Sequence, residues 1–145
     1  MNRLILSLFL TSLAHGAEIT PLCPALMHPD AVHGVALSAD GKWAATGCTD
    51  HMLRLWDTTT GTLHGQPLEH DGGVYPIAFS PDSTMVVAGS EKGAKLWEVA
   101  SGKPLATFPH PGFVYSLAFR PDGLAVLTSS HDGKADGTAR LWDVR

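Results

Sequence analysis

The last eight residues, Thr138 to Arg145, read TARLWDVR. Two near copies lie upstream: HMLRLWDTT at 51–59, around Trp56, and GAKLWEVAS at 93–101, around Trp97. A phrase used three times along one chain marks a modular sequence, so the period comes before any local structure. The tryptophans stand at 56, 97 and 142, spaced 41 and 45, and the histidines at 28, 70 and 110, spaced 42 and 40. Asp40, Asp82 and Asp122 keep the same register. The units are therefore about 28–69, 70–109 and 110–145, each carrying one Trp-Asp or Trp-Glu pair.

Within each unit the pattern is that of short strands. VYPIAFS (74–80) and VYSLAFR (114–120) alternate Tyr75, Ile77, Phe79 and Tyr115, Leu117, Phe119 with smaller residues, a period of two. SADG, SPDS and RPDG follow as tight turns, because Pro presets φ, Asp bonds its own backbone and Gly accepts positive φ. STMVVAG and LAVLTSS return as second strands, MLRLW, GAKLW and TARLW are third strands, and TLHGQPL and KPLATF are fourth strands. Four antiparallel strands per repeated unit make the blade of an all-β propeller.

On these residues the chain resembles the WD-repeat family, in the style common among bacterial members, from about Glu18 to Arg145. The resemblance implies a buried network of His, hydroxyl, Asp and Trp in each blade. Carried over by position, it is His28, Thr46, Asp50 and Trp56 in the first unit and His110, Thr128, Asp136 and Trp142 in the third. The second unit keeps His70 and Trp97, but Ala88 replaces the hydroxyl and Glu91 stands in for Asp. The physical reason for such a set is satisfaction of buried polar groups: an indole N–H donates, a hydroxyl accepts and donates, and an imidazole passes the chain on. Because the set repeats in every unit, it reads as architecture rather than as a catalytic triad. The eight histidines follow the blade period and not ligand geometry, so no metal and no cofactor is expected.

What the resemblance implies for function is a scaffold for protein–protein interaction, with contacts at the start of the first strands and just before the network acid. Those positions are Ala31, His33, Gly73, Tyr75, Phe113 and Tyr115, then Thr49, Ser90 and Ala135. Tyr75 and Tyr115 fit an interface, and they fit packing between strands equally well. The alternative is part of a secreted enzyme or substrate-binding propeller whose site lies in other blades. No nucleophile motif, paired acids or phosphate loop stands in this sequence, and the chain is read as a non-enzyme. A formal charge of −4 with scattered Lys and Arg gives no basic surface for nucleic acid.

The first residues have their own logic. MNRLILSLFLTSLAHGAEIT places Arg3 before an apolar run from Leu4 to Leu13 and then small residues, a secretory leader over 1–16 cleaved before Ala17. The run is too short to span a bilayer, so the expectation is export to the periplasm or the medium. Export would permit a disulfide between Cys23 and Cys48, but two such cysteines read more simply as small buried hydrophobes. Residues 19–27 share the Pro-Leu stretch that precedes each later His, and are expected as a leading outer strand without a blade of their own. In the third unit, SSHDGKADGTARLWD carries about four extra residues in an exposed turn. Three units are fewer than the roughly four to eight blades of a closed propeller. Two expectations stay open: a piece of a longer propeller, which the stop at LWDVR favours, or self-association of two three-bladed arcs that exchange outer strands.

Overall fold

The computed structural model describes residues 19–131, 133 and 137–145. The leader expected over 1–16, the network acid Asp136 and the contact position Ala135 lie outside the described residues.

Turn chemistry sets the strands. Ser38 Oγ donates to Asp40 Oδ1 (2.6 Å), which accepts the Lys42 N–H (3.1 Å), while the Trp43 N–H returns to Ser38 Oγ (2.9 Å). Ser80, Asp82, Thr84 and Met85 repeat the arrangement, and in the third unit Asp122 accepts from Leu124 N and Arg120 Nε. The turns need one residue with positive φ, supplied by Gly41, Ser83 and Gly123. Ser83 pays for its left-handed backbone with a cross-unit bond, accepting the Asp40 N–H at 3.2 Å.

Among the described residues these turns join eleven strands in three antiparallel sheets, one per repeat. The first holds β1 (Val32–Leu37), β2 (Trp43–Cys48), β3 (Met52–Asp57) and β4 (Leu68–Glu69) in that order. The second holds β5 (Ile77–Phe79), β6 (Met85–Ser90), β7 (Gly93–Glu98) and β8 (Pro104–Pro109). The third holds β9 (Phe113–Phe119), β10 (Ala125–His131) and β11 (Gly137–Asp143). The sheets pack in a row through two seams. In one, Ala45, Leu53 and Leu55 meet Val86, Ala88, Trp97 and Val99; in the other, Val87, Leu96 and Phe108 meet Val126, with Leu117, Phe119 and Trp142 at its margin. Close approach needs small residues on the inner strands: a Cβ on Gly34 would stand 1.9 Å from the Tyr75 carbonyl oxygen, and one on Gly89 2.8 Å from Val114 Cγ1.

Three expectations change. Residues 19–27 form no strand. An outer strand needs a free neighbouring edge, and that of β3 is taken by β4, while β11, which has no outer partner among the described residues, belongs to the third sheet. The fourth strand expected over 62–68 shrinks to β4 plus one bridge, Trp56 to Leu63, because Gly65 turns the chain at φ 67° and Pro67 lacks an N–H. Pro76 likewise delays β5 until Ile77, although Tyr75 N still bonds the Gly89 carbonyl (3.0 Å). Cys48 is buried, Cys23 half-buried, and both are free.

Candidate interaction surface

Two of the three units build a relay ending on tryptophan. In the first, His28 Nδ1 donates to the Leu26 carbonyl (2.8 Å), which leaves Nε2 to accept from Thr46 Oγ1 (2.7 Å); Thr46 Oγ1 accepts the Trp56 Nε1–H (2.8 Å). In the third, the Arg140 guanidinium donates to His110 Nδ1 (3.1 Å), so the tautomer is reversed and His110 Nε2 donates to Thr128 Oγ1 (2.8 Å). Trp142 Nε1–H reaches the same oxygen at 2.8 Å, and the Thr128 hydroxyl turns to the Arg140 carbonyl (3.4 Å). Ser130 Oγ adds a contact to His110 Nδ1 (2.8 Å) and touches Thr138 Oγ1 (3.0 Å).

The second unit works differently because Ala88 carries no hydroxyl. Asp71 N donates to His70 Nδ1 (2.8 Å), and Nε2 donates to the Ala88 carbonyl (3.2 Å). The His70 and Trp97 rings still meet edge-on at 5.7 Å, but the Trp97 N–H has no hydrogen-bonding partner among the described residues. Burial pushes the imidazoles of His70 and His110 below their ordinary value, with the charge of Lys95 and Arg140 respectively in the same direction. A buried imidazole beside a cation stays neutral, which is what a relay needs.

The acids expected in these networks do other work. Asp50 holds the Arg54 guanidinium through both carboxylate oxygens (3.2 and 2.6 Å) and the Met52 N–H (3.1 Å), so it does not join the His28 chain. That pairing holds its carboxyl below the usual range. Glu91 accepts from the Gly73 N–H (3.3 Å) and does not reach His70, whose Nδ1 is already occupied. Residues that sequence reasoning missed are Arg140, Ser130 and Thr138. The signal was present, since Arg54, Lys95 and Arg140 each stand two residues before the unit's Trp.

The expected contact positions separate into a row and its flanks. His33, Tyr75, Phe113 and Tyr115 form one continuous line of rings, with centroids 5.3, 4.7 and 4.7 Å apart, crossing all three sheets. Their planes are tilted by 39–49°, a packed rather than stacked arrangement. His33 and Tyr115 are exposed, Tyr115 by 63%, while Tyr75 and Phe113 are half-buried, so packing and presentation are shared along the row. Gly73 lets the Tyr75 hydroxyl lie close, at 3.0 Å from where its own Cβ would be. Thr49 is half-buried beside the row and ties its N–H to the Ala31 carbonyl (3.0 Å). Ser90 is not available for contact: it is fully buried, and its hydroxyl donates to the Gly93 carbonyl (3.2 Å) and accepts the Lys92 N–H (3.1 Å). The turn around β6–β7 consumes it.

Known proteins with this organisation can now be set beside the geometry. The family model described as WD domain, G-beta repeat matches residues 24–57, 60–98 and 102–143. The chain is 37% identical over 86 residues to WD repeat-containing protein 1 of Mus musculus, covering 57% of this chain and 14% of that protein. It is 37% identical over 84 residues to actin-interacting protein 1 of Drosophila melanogaster, covering 56% of this chain and 14% of that protein. With small ribosomal subunit protein RACK1z of Arabidopsis thaliana it shares 35% identity over 75 residues, 51% of this chain and 22% of that one. Among solved structures, the crystal structure of the computationally designed Ika8 protein superposes with a TM-score of 0.72 at 26% identity, over 85% of this chain and 36% of that chain. The chain thus spans about a seventh of the first two relatives.

Proposed function

This chain belongs to the WD-repeat family, and from that premise we propose that it is a protein-interaction scaffold whose contact surface is the row His33, Tyr75, Phe113 and Tyr115. The observation that carries the reading is the continuity of the row, since four rings from three repeats present one surface rather than isolated side chains. Tyrosine gives a large contact area with a polar tip at small conformational cost, the profile of residues that dominate binding energy. The chain has no chemistry of its own in this proposal, and its relay histidines serve the platform beneath the row. Their ring nitrogens are engaged by backbone, hydroxyl or guanidinium partners. A relative that is named for interaction with actin supports a protein as the class of partner. Export, with residues 1–16 as the leader, completes the proposal.

The test is Tyr115→Ala in affinity capture with the immobilised chain. Tyr115 is exposed, so truncation leaves the melting profile unchanged, while a hot-spot tyrosine at an interface costs about 2 kcal/mol or more, roughly 30-fold in affinity. Loss of the proteins retained by the unaltered chain supports the row. Equal retention by a folded Tyr115→Ala chain removes it.

A further inference from the structure

Charged side chains at matching positions do different work in the first and second units. In the first, Asp50 takes Arg54, four residues on, as its partner (2.6 Å). In the second, Glu91 and Lys95 hold those two positions, and each reaches instead to the segment before Tyr75. Lys95 Nζ donates to Asp71 Oδ1 (2.8 Å), and Glu91 Oε1 accepts the Gly73 N–H (3.3 Å). Glutamate is one methylene longer than aspartate, which gives it that reach.

The two glycines of the segment are packed from opposite partners. A Cβ on Gly72 would stand 2.5 Å from the carboxylate carbon of Glu91. One on Gly73 would stand 3.0 Å from the Tyr75 hydroxyl and 3.1 Å from its ring. Neither glycine has a positive φ, so what is needed here is space and not an unusual backbone. The carboxylate lies against Gly72 and the tyrosine ring against Gly73, so the short stretch of backbone between them couples the two side chains. Tyr75 in turn is the middle of the aromatic row, meeting His33 of the first sheet at 5.3 Å and Phe113 of the third at 4.7 Å.

We infer that Glu91 is a positioning residue of the contact surface: it holds Gly72 and Gly73 in place and thereby keeps the Tyr75 ring in line between His33 and Phe113. The inference rests on the proposed role of the row. The Lys95–Asp71 pair is a second anchor on the same segment and the weaker one, since Asp71 is 54% exposed and the pair is screened by salt. The carboxylate of Glu91 makes a charge-assisted bond to a backbone N–H, stronger than one from a neutral acceptor.

Ring-proton Overhauser spectra of the full chain test it, with the Phe113–Tyr115 cross-peak inside the third sheet as internal reference. Glu91→Ala is expected to weaken the Tyr75–Phe113 cross-peak against that reference and to speed exchange of the Gly73 amide about 10-fold. Gly72→Ala is expected to do the same, because its methyl displaces the carboxylate while Glu91 itself remains. Glu91→Gln keeps the accepting oxygen and is expected to restore both readouts. In affinity capture, Glu91→Ala is expected to hold partners about 5-fold less tightly than Glu91→Gln, by displacing one interface tyrosine. An unchanged Tyr75–Phe113 cross-peak in Glu91→Ala, or a Glu91→Gln chain that behaves like Glu91→Ala, would overturn the inference. So would full capture by Glu91→Ala where Tyr115→Ala loses it. Failure of the row itself is told apart by unaltered capture with Tyr115→Ala.

Discussion

Ala88→Ser puts a hydroxyl where the first and third units carry Thr46 and Thr128. In the third unit that oxygen lies 2.8 Å from both His110 Nε2 and Trp142 Nε1 and donates onward to the Arg140 carbonyl. The second unit has the same parts in waiting: His70 already carries its proton on Nε2, Trp97 N–H has no acceptor among the described residues, and Lys95 stands opposite position 88 as Arg140 stands opposite Thr128. The His70 Nε2–H exchanges the Ala88 carbonyl for the new oxygen, so two hydrogen bonds are gained, each worth about 0.5–1.5 kcal/mol net of desolvation. The lower end is a gain of about 1 kcal/mol, which raises Tm by about 4 °C for a domain of this size. Calorimetric melts at one fixed protein concentration read the shift, and exchange of the Trp97 indole proton reads its cause. A lower Tm, or a Trp97 N–H that exchanges as fast as before, would refute the relay reasoning.

Thr128→Val keeps the shape and removes the oxygen that serves both His110 and Trp142. With the buried His110 donor and the half-buried Trp142 donor left unpaired, chemical denaturation is expected to show a loss of about 2–4 kcal/mol. Stability also falls on acidification in two stages. His70 and His110 have folded values depressed by burial, so their contribution is complete above the unfolded value of about 6.5 and is lost as pH drops below it. Asp82 is held low by the Ser80 hydroxyl and Asp40 by that of Ser38, and their contribution disappears further down, below about pH 4. Melts across that range check both stages, and a Tm that rises between pH 7 and 5 would contradict the histidine assignment.

Most of the architecture was legible because it was repeated. Turn signatures around Asp40, Asp82 and Asp122 fixed strand ends, and the tryptophan period fixed the number of sheets. What the sequence misjudged depended on neighbours. Residues 19–27 have the pattern of an outer strand but lack an adjacent edge, and the expected strand at 62–68 is interrupted by the backbone of Gly65 and Pro67. Network acids were assigned by position, yet Asp50 is claimed by Arg54 four residues on, a competition that register alone does not reveal. Ser90 sits among exposed contact positions by alignment and is turned inward by its own hairpin. The aromatic row was legible only as separate residues; the Tyr75–Phe113 contact that joins two sheets comes from seam packing.

The central claim is that seam packing brings rings from three repeats into one surface. Ring-proton nuclear Overhauser contacts measure it directly. Cross-peaks are expected from His33 to Tyr75, from Tyr75 to Phe113 and from Phe113 to Tyr115, whose centroids lie 5.3, 4.7 and 4.7 Å apart. A spectrum with the Phe113–Tyr115 contact inside the third sheet but without the Tyr75–Phe113 contact across the seam would contradict it.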